Sequence, residues 1–186
     1  MTPPAAIAGF DRRAFLKLGV AGTWTLVACS TAATLAGCST AAPPASGYRW
    51  LSTEDLALFS ALLPAVNGPA WPDETSIRDE ALRRIDAALA ALAPQAQEQT
   101  RQLLDLLHWP VFRHLACGLS APWSRAPAED IARFLQRWRD SRLELFNAGY
   151  RGLAKLAQLG WWSQRASWDA CRYPGPPAWA VAALNG

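Results

Sequence analysis

From Ser52 onward, apolar residues recur mostly at helical spacing. Leu56, Phe59, Leu62, Leu63 and Val66 form one stripe. Ser52 or Thr53 can cap it, and Glu54 and Asp55 sit near the positive end of the helix dipole. Pro64 kinks or ends this helix, and Asn67-Gly68-Pro69 closes it. After a loop containing Trp71-Pro72, a second helix is predicted from about Thr75 to Leu92. Ala81, Leu82, Ile85, Ala88, Leu89 and Leu92 line its apolar face; Arg78, Asp79, Arg83 and Asp86 occupy the polar one. Pro94 marks the break, and a third helix from Gln95 to Leu107 turns Leu103, Leu104 and Leu107 inward.

His108-Trp109-Pro110 interrupts that helix, and a short turn runs from Val111 to Cys117 before Gly118. Residues 119–126 read as a loop. Pro127 suits a first helical position, followed by Glu129 and Asp130 and then a stripe of Ile131, Phe134, Leu135 and Trp138. The stripe continues, after a bend near Asp140-Ser141, through Leu145, Phe146, Tyr150, Leu153, Leu156 and Leu159. Gly149 and Gly152 would admit another chain segment closely, and Gly160 would end the helix. A short helix is expected at Ser167 to Cys171. No stretch alternates long enough to make a strand. The fold class is therefore all-α: a bundle of four to five helices with an extended, Pro-rich C-terminal tail.

What precedes Ser52 has a different pattern. Asp11-Arg12-Arg13-Ala14-Phe15-Leu16-Lys17 stands before a diluted apolar run, residues 18–37, that ends Leu35-Ala36-Gly37-Cys38. A basic segment, an apolar segment and a small-residue site make a targeting peptide. Arg12, Arg13, Phe15, Leu16 and Lys17 resemble a twin-arginine (Tat) export signal. Leu35 to Cys38 resembles a lipobox, in which Cys38 is acylated; Leu26-Val27-Ala28-Cys29 fits the same loose pattern. Acyl chains anchor a protein by about 0.8 kcal/mol per buried methylene. The expected organisation is a leader, 1–37, a lipid-anchored Ala/Pro/Ser-rich tether, 38–50, and a helical domain, 51–186, whose segment 161–179 is a docking tail. A cleaved soluble form and a leader retained as an anchor are the alternatives.

Composition narrows the function. Removing 37 of the 186 residues leaves 149, enough for one domain with a real core. The leader takes with it Arg12, Arg13, Lys17 and Asp11, so a net charge of +3 falls to +1, which does not suggest nucleic acid. No Gly-rich phosphate loop and no Cys-x-x-Cys-His occurs, so neither a dinucleotide nor a covalent haem is expected on this chain. His108 and His114, with Pro110 between them, do not share a helical face. They read as ordinary loop or surface histidines, and neither a catalytic nor a metal site is expected.

With Cys29 in the leader and Cys38 acylated, Cys117 and Cys171 remain. A bridge between them would contribute about 4 kcal/mol in the chain-entropy model. Free thiols, or Cys171 bonded to a partner, are the other readings. Of nine mature tryptophans, Trp109 and Trp138 are expected inside. Trp161, Trp162, Trp168 and Trp179 are clustered beside Arg165 and Arg172, as an interface would have them. Tyr173-Pro174-Gly175-Pro176-Pro177 cannot be helix or central strand, and a stiff strip with flanking aromatics loses little freedom on docking. The tail could instead fold back over the bundle.

The order Trp138, Ser141, Arg142, Tyr150, Leu153, Trp161-Trp162, Trp168 and Tyr173-Pro174-Gly175-Pro176-Pro177 is similar to the C-terminal half of the gluconate 2-dehydrogenase subunit 3 family. The Leu51-Ser52-Thr53 start and the helix ending near Pro64 resemble that family's opening. The resemblance implies a small Tat-signalled subunit without an active site. Its partner would be an FAD-dependent large subunit of the glucose-methanol-choline type, exported with it, which passes electrons to a c-type cytochrome or similar acceptor. It would account for a folded-cargo signal on a chain with nothing to load. The location implied is periplasmic and membrane-anchored. Ser39 after Cys38 resembles outer-membrane sorting, whereas an electron-transfer complex belongs on the inner membrane; both stay open. The alternative function is a stand-alone helical envelope lipoprotein that binds another protein or ligand.

Overall fold

The computed structural model describes residues 42–72 and 74–185. The targeting residues Arg12, Arg13, Phe15, Leu16 and Lys17 and the processing candidates Cys29 and Cys38 lie outside them. Eight α-helices and no strands occur among the described residues: α1 (Thr53–Asn67), α2 (Thr75–Ala90), α3 (Pro94–His108), α4 (Pro110–Leu115), α5 (Ala128–Arg139), α6 (Glu144–Trp162), α7 (Ser167–Cys171) and α8 (Ala178–Asn185). Single 3-10 turns occur at Gly68–Ala70 and Trp123–Arg125. The all-α class holds, with five long helices, α1, α2, α3, α5 and α6, making the bundle. No helix among the described residues is long and apolar enough to cross a membrane.

The apolar stripes account for the core. Leu58, Phe59, Leu62 and Leu63 of α1, Leu82, Ile85 and Leu89 of α2, and Leu104 and Leu107 of α3 are buried together with Ile131, Phe134, Trp138 and Leu153. The long helix α6 lies against α1, α2 and α5. Gly149 permits part of this: a Cβ there would stand 2.6 Å from Cζ3 of Trp138. Gly152 faces open space. Gly160 does not end α6, which runs on to Trp162. A Cβ at Gly160 would lie 3.1 Å from the Ala81 carbonyl oxygen, so its role is the approach of α6 to α2.

Other expectations needed revision. Pro64 does not end α1, since its ring sits on the exposed side and the helix continues to Asn67. It stops at Gly68, whose φ of +57° breaks the helical path. Leu92 falls beyond α2 and is exposed. Trp109 lies outside the core, 56% exposed, at the extended corner between α3 and α4. Trp123 fills the interior instead, donating its indole N–H to the Leu107 carbonyl at 3.0 Å and meeting Phe134 edge-on. The segment after Pro177 is not extended but helical, as α8.

Residues 43–50, the later part of the segment 38–50 expected to be a lipid-anchored tether, fall in the same compact unit as the helices, which opens at Pro43. Asp86 is the physical reason. Placed by periodicity on the polar face of α2, it is buried, and its carboxylate accepts the backbone N–H groups of Arg49, Trp50 and Leu51 at 2.8–2.9 Å. The strap thus docked folds back on itself in a turn, with Ala45 N–H donating to the Leu51 carbonyl at 2.8 Å.

Candidate docking surface

The residues singled out for docking separate into two groups. Trp161 is buried and packs edge-on against Trp71 at 5.8 Å between ring centres, so it belongs to the core and not to a surface. Its neighbour Trp162, one residue further round α6, is 41% exposed. Beyond it, Ser167 fastens α7 to the end of α6 by donating its hydroxyl to the carbonyls of Gln164 at 2.7 Å and Trp162 at 3.2 Å.

Trp168 on α7 then organises the tail. Tyr173 meets it edge-on at 5.3 Å, and the Tyr173 N–H donates to the Trp168 carbonyl at 2.9 Å. Arg165 lies over the indole, 5.4 Å from its centre. Arg172 reverses the chain in a left-handed conformation at φ 54°, and Gly175 follows at φ +95°. A Cβ at Gly175 would approach Cζ3 of Trp168 to 2.9 Å, so only glycine lets the chain lie on the indole there. Trp168, Tyr173 and Gly175 therefore come together as a pinned turn. Pro174 and Pro176 are exposed beside it. Tyr173 is 45% exposed and Trp179, on α8, is 75% exposed. The tail does not plug the core.

Cys117 and Cys171 are not bridged. Both are free thiols, Cys117 buried and Cys171 exposed. Burial pushes the Cys117 thiol up to about 12, against the opposing pull of Arg137 and Arg113. Cys171 is expected to react quickly with a thiol reagent in the native protein, and Cys117 only after unfolding, read by peptide mass spectrometry. Equal rates at the two sites would refute this.

A second constellation escaped the sequence reading. The Asp55 carboxylate is fully buried and accepts five hydrogen bonds: from Ser52 N–H and Oγ at 2.8 Å, from two Arg101 nitrogens at 2.7 Å, and from His108 Nε2 at 2.8 Å. Burial alone would push this carboxyl up; the bonds from Arg101, His108 and Ser52 outweigh it and hold the group well below the usual carboxylate range. Arg101 also pairs with Asp105 at 2.8 Å and lies over Trp50, 5.0 Å from the ring centre. His108 is thus a partner of a buried acid rather than a loop histidine. His114 stands apart, with its Nδ1 3.3 Å from Ser120 Oγ. A legible signal existed: Arg101, Asp105 and His108 stand at i, i+4 and i+7, one face of α3. The cluster borders an open cleft of about 310 Å³ lined by Thr53, Glu54, His108, Arg113 and Trp123, among others. No group of three or more potential metal ligands occurs among the described residues.

Comparison with family models, with curated proteins and with solved structures finds no match for this chain.

Proposed function

We propose that this chain is a non-catalytic accessory subunit. It binds an FAD-dependent dehydrogenase large subunit of the glucose-methanol-choline type, helps it mature, escorts it through the Tat pathway and holds it at the membrane by a lipid on Cys38. FAD resides on the partner, and a c-type cytochrome or similar acceptor takes the electrons.

The observation that carries this reading is the pinned tail. Aromatic side chains at Trp162, Tyr173 and Trp179 are left in solvent by a segment whose own conformation is fixed by Trp168, Gly175 and the prolines. Exposed aromatics on a pre-organised element lose little entropy on binding and are the residue types that dominate interface energetics. The similarity of the Trp161-to-Pro177 order to gluconate 2-dehydrogenase subunit 3 supplies the partner's class, and the Arg12-Arg13 leader supplies a reason for assembly before export.

The test is a gentle affinity purification of the tagged protein from membranes, read by mass spectrometry and flavin absorbance. A yellow complex with a large flavoprotein is expected. Replacing both Trp162 and Trp179 by alanine should release the flavoprotein while leaving the helical circular dichroism unchanged. A colourless protein recovered alone would overturn the escort reading in favour of a stand-alone lipoprotein. An intact complex in the double variant would remove the tail from the interface.

A further inference from the structure

Away from the tail, the bundle carries an apolar groove that none of its own elements fills. It lies where α3 and α4 meet the beginning of α6, has a volume of about 250 Å³, and is floored by Phe112 and Trp138. Leu106 and Leu145 stand at its edges, Leu145 being 78% exposed, and Gln99 and Gln102 supply the only polar side chains. No charged residue lines it. Such a groove suits an uncharged apolar helix, because an ion placed against it would lose its hydration without gaining a partner.

The chain itself supplies one. The sequence of α8, Ala178–Asn185, contains no charged residue. Among the described residues it makes no extensive contact with another helix, and Trp179 and Val181 are exposed. In a single copy none of the residues that line the groove belongs to α8. Leu145 is the second residue of α6 and Trp162 the last, which at a rise of about 1.5 Å per residue sets them about 25 Å apart. The tail leaves from the Trp162 end, where α7 is fastened, and is pinned as far as Gly175 on Trp168.

We propose that α8 of one copy seats in the groove of a second copy, with Trp179 as the anchor, and that the exchange is reciprocal. Two copies related by a two-fold axis then cover both grooves and both apolar helices. The exchange goes beyond the escort reading and does not depend on it. Only one consequence does: a large subunit that docks on the same tail would displace the dimer.

Sedimentation velocity of the full-length chain in mild detergent, over rising concentration, tests this. A monomer–dimer equilibrium is expected. Trp179→Asp and Leu145→Asp should each be monomeric, and both should melt as the parent does, because both side chains are exposed in a single copy. Mixing the two variants is the decisive step. Trp179→Asp keeps an intact groove and Leu145→Asp an intact helix, so the mixture should recover association through one of the two contacts. A parent chain that stays monomeric would overturn the proposal. So would single variants that still dimerise, a mixture that does not associate, or growth beyond the dimer. None of these results bears on whether a flavoprotein co-purifies.

Discussion

Replacing Asp55 by alanine is expected to lower the unfolding free energy by about 3–5 kcal/mol, the range for breaking a buried ion pair from one side. The loss is large because the Arg101 guanidinium remains, mostly buried, with Asp105 as its remaining carboxylate partner among the described residues, and His108 Nε2 loses its acceptor, leaving the imidazole only the Glu54 carboxylate 4.0 Å from Nδ1. The Ser52 cap also loses the side-chain half of its capping box. Urea titration followed by helical circular dichroism measures this directly, and a loss under about 1 kcal/mol would show that the cluster is not a structural hub.

The same residue sets an acid limit. Its folded carboxyl titrates well below its unfolded value, so its stabilisation is complete above the unfolded value of about 4. As pH falls below that value the unfolded state binds the proton more readily, and the contribution shrinks progressively. The parent should therefore lose stability more steeply than an Asp55→Asn variant between about pH 4 and pH 2. Parallel curves would contradict the assignment.

Asp86→Ala is expected to be the second most damaging change, at on the order of 3 kcal/mol. It removes the acceptor from three backbone N–H groups, two of them part-buried and that of Leu51 fully buried. The damage should be local as well as global: limited proteolysis should cut within residues 43–51 of the folded variant and spare the parent. Asp86→Asn should retain more stability, since one amide oxygen can still accept from Trp50 and Leu51, which share Oδ1 in the parent. An Asp86→Ala protein that resists protease as the parent does would show that the strap is held by Trp50 and Tyr48 packing alone.

Much of the bundle was legible because burial on α2 and α5 follows the 3.6-residue period. Gly149 was legible as a point of close approach, but what meets it is the Trp138 ring rather than another backbone, and Gly152 meets nothing. What failed was burial that periodicity cannot encode. Asp86 lies among polar positions of α2 and is buried only because a strap 35 to 37 residues earlier brings three N–H groups to it. Trp109 and Trp123 are chemically equal candidates for the core; the corner before Pro110 decides between them by turning one outward. Trp161 and Trp162 differ by one helical step, and only the position of Trp71 shows which of them faces inward. The helix α8 gave no periodic signal because its sequence is apolar on every side.

The strap also fixes how load would enter the domain. A chain drawn from its N-terminal end does not peel a helix from its terminus. The pull arrives at Arg49, Trp50 and Leu51, where three hydrogen bonds converge on one carboxylate a turn before the C-terminal end of α2. The three donors follow one another along the chain, so such a pull loads Arg49 first and Leu51 last. The first structure to give way would therefore be the strap, released residue by residue, with the bundle behind it intact.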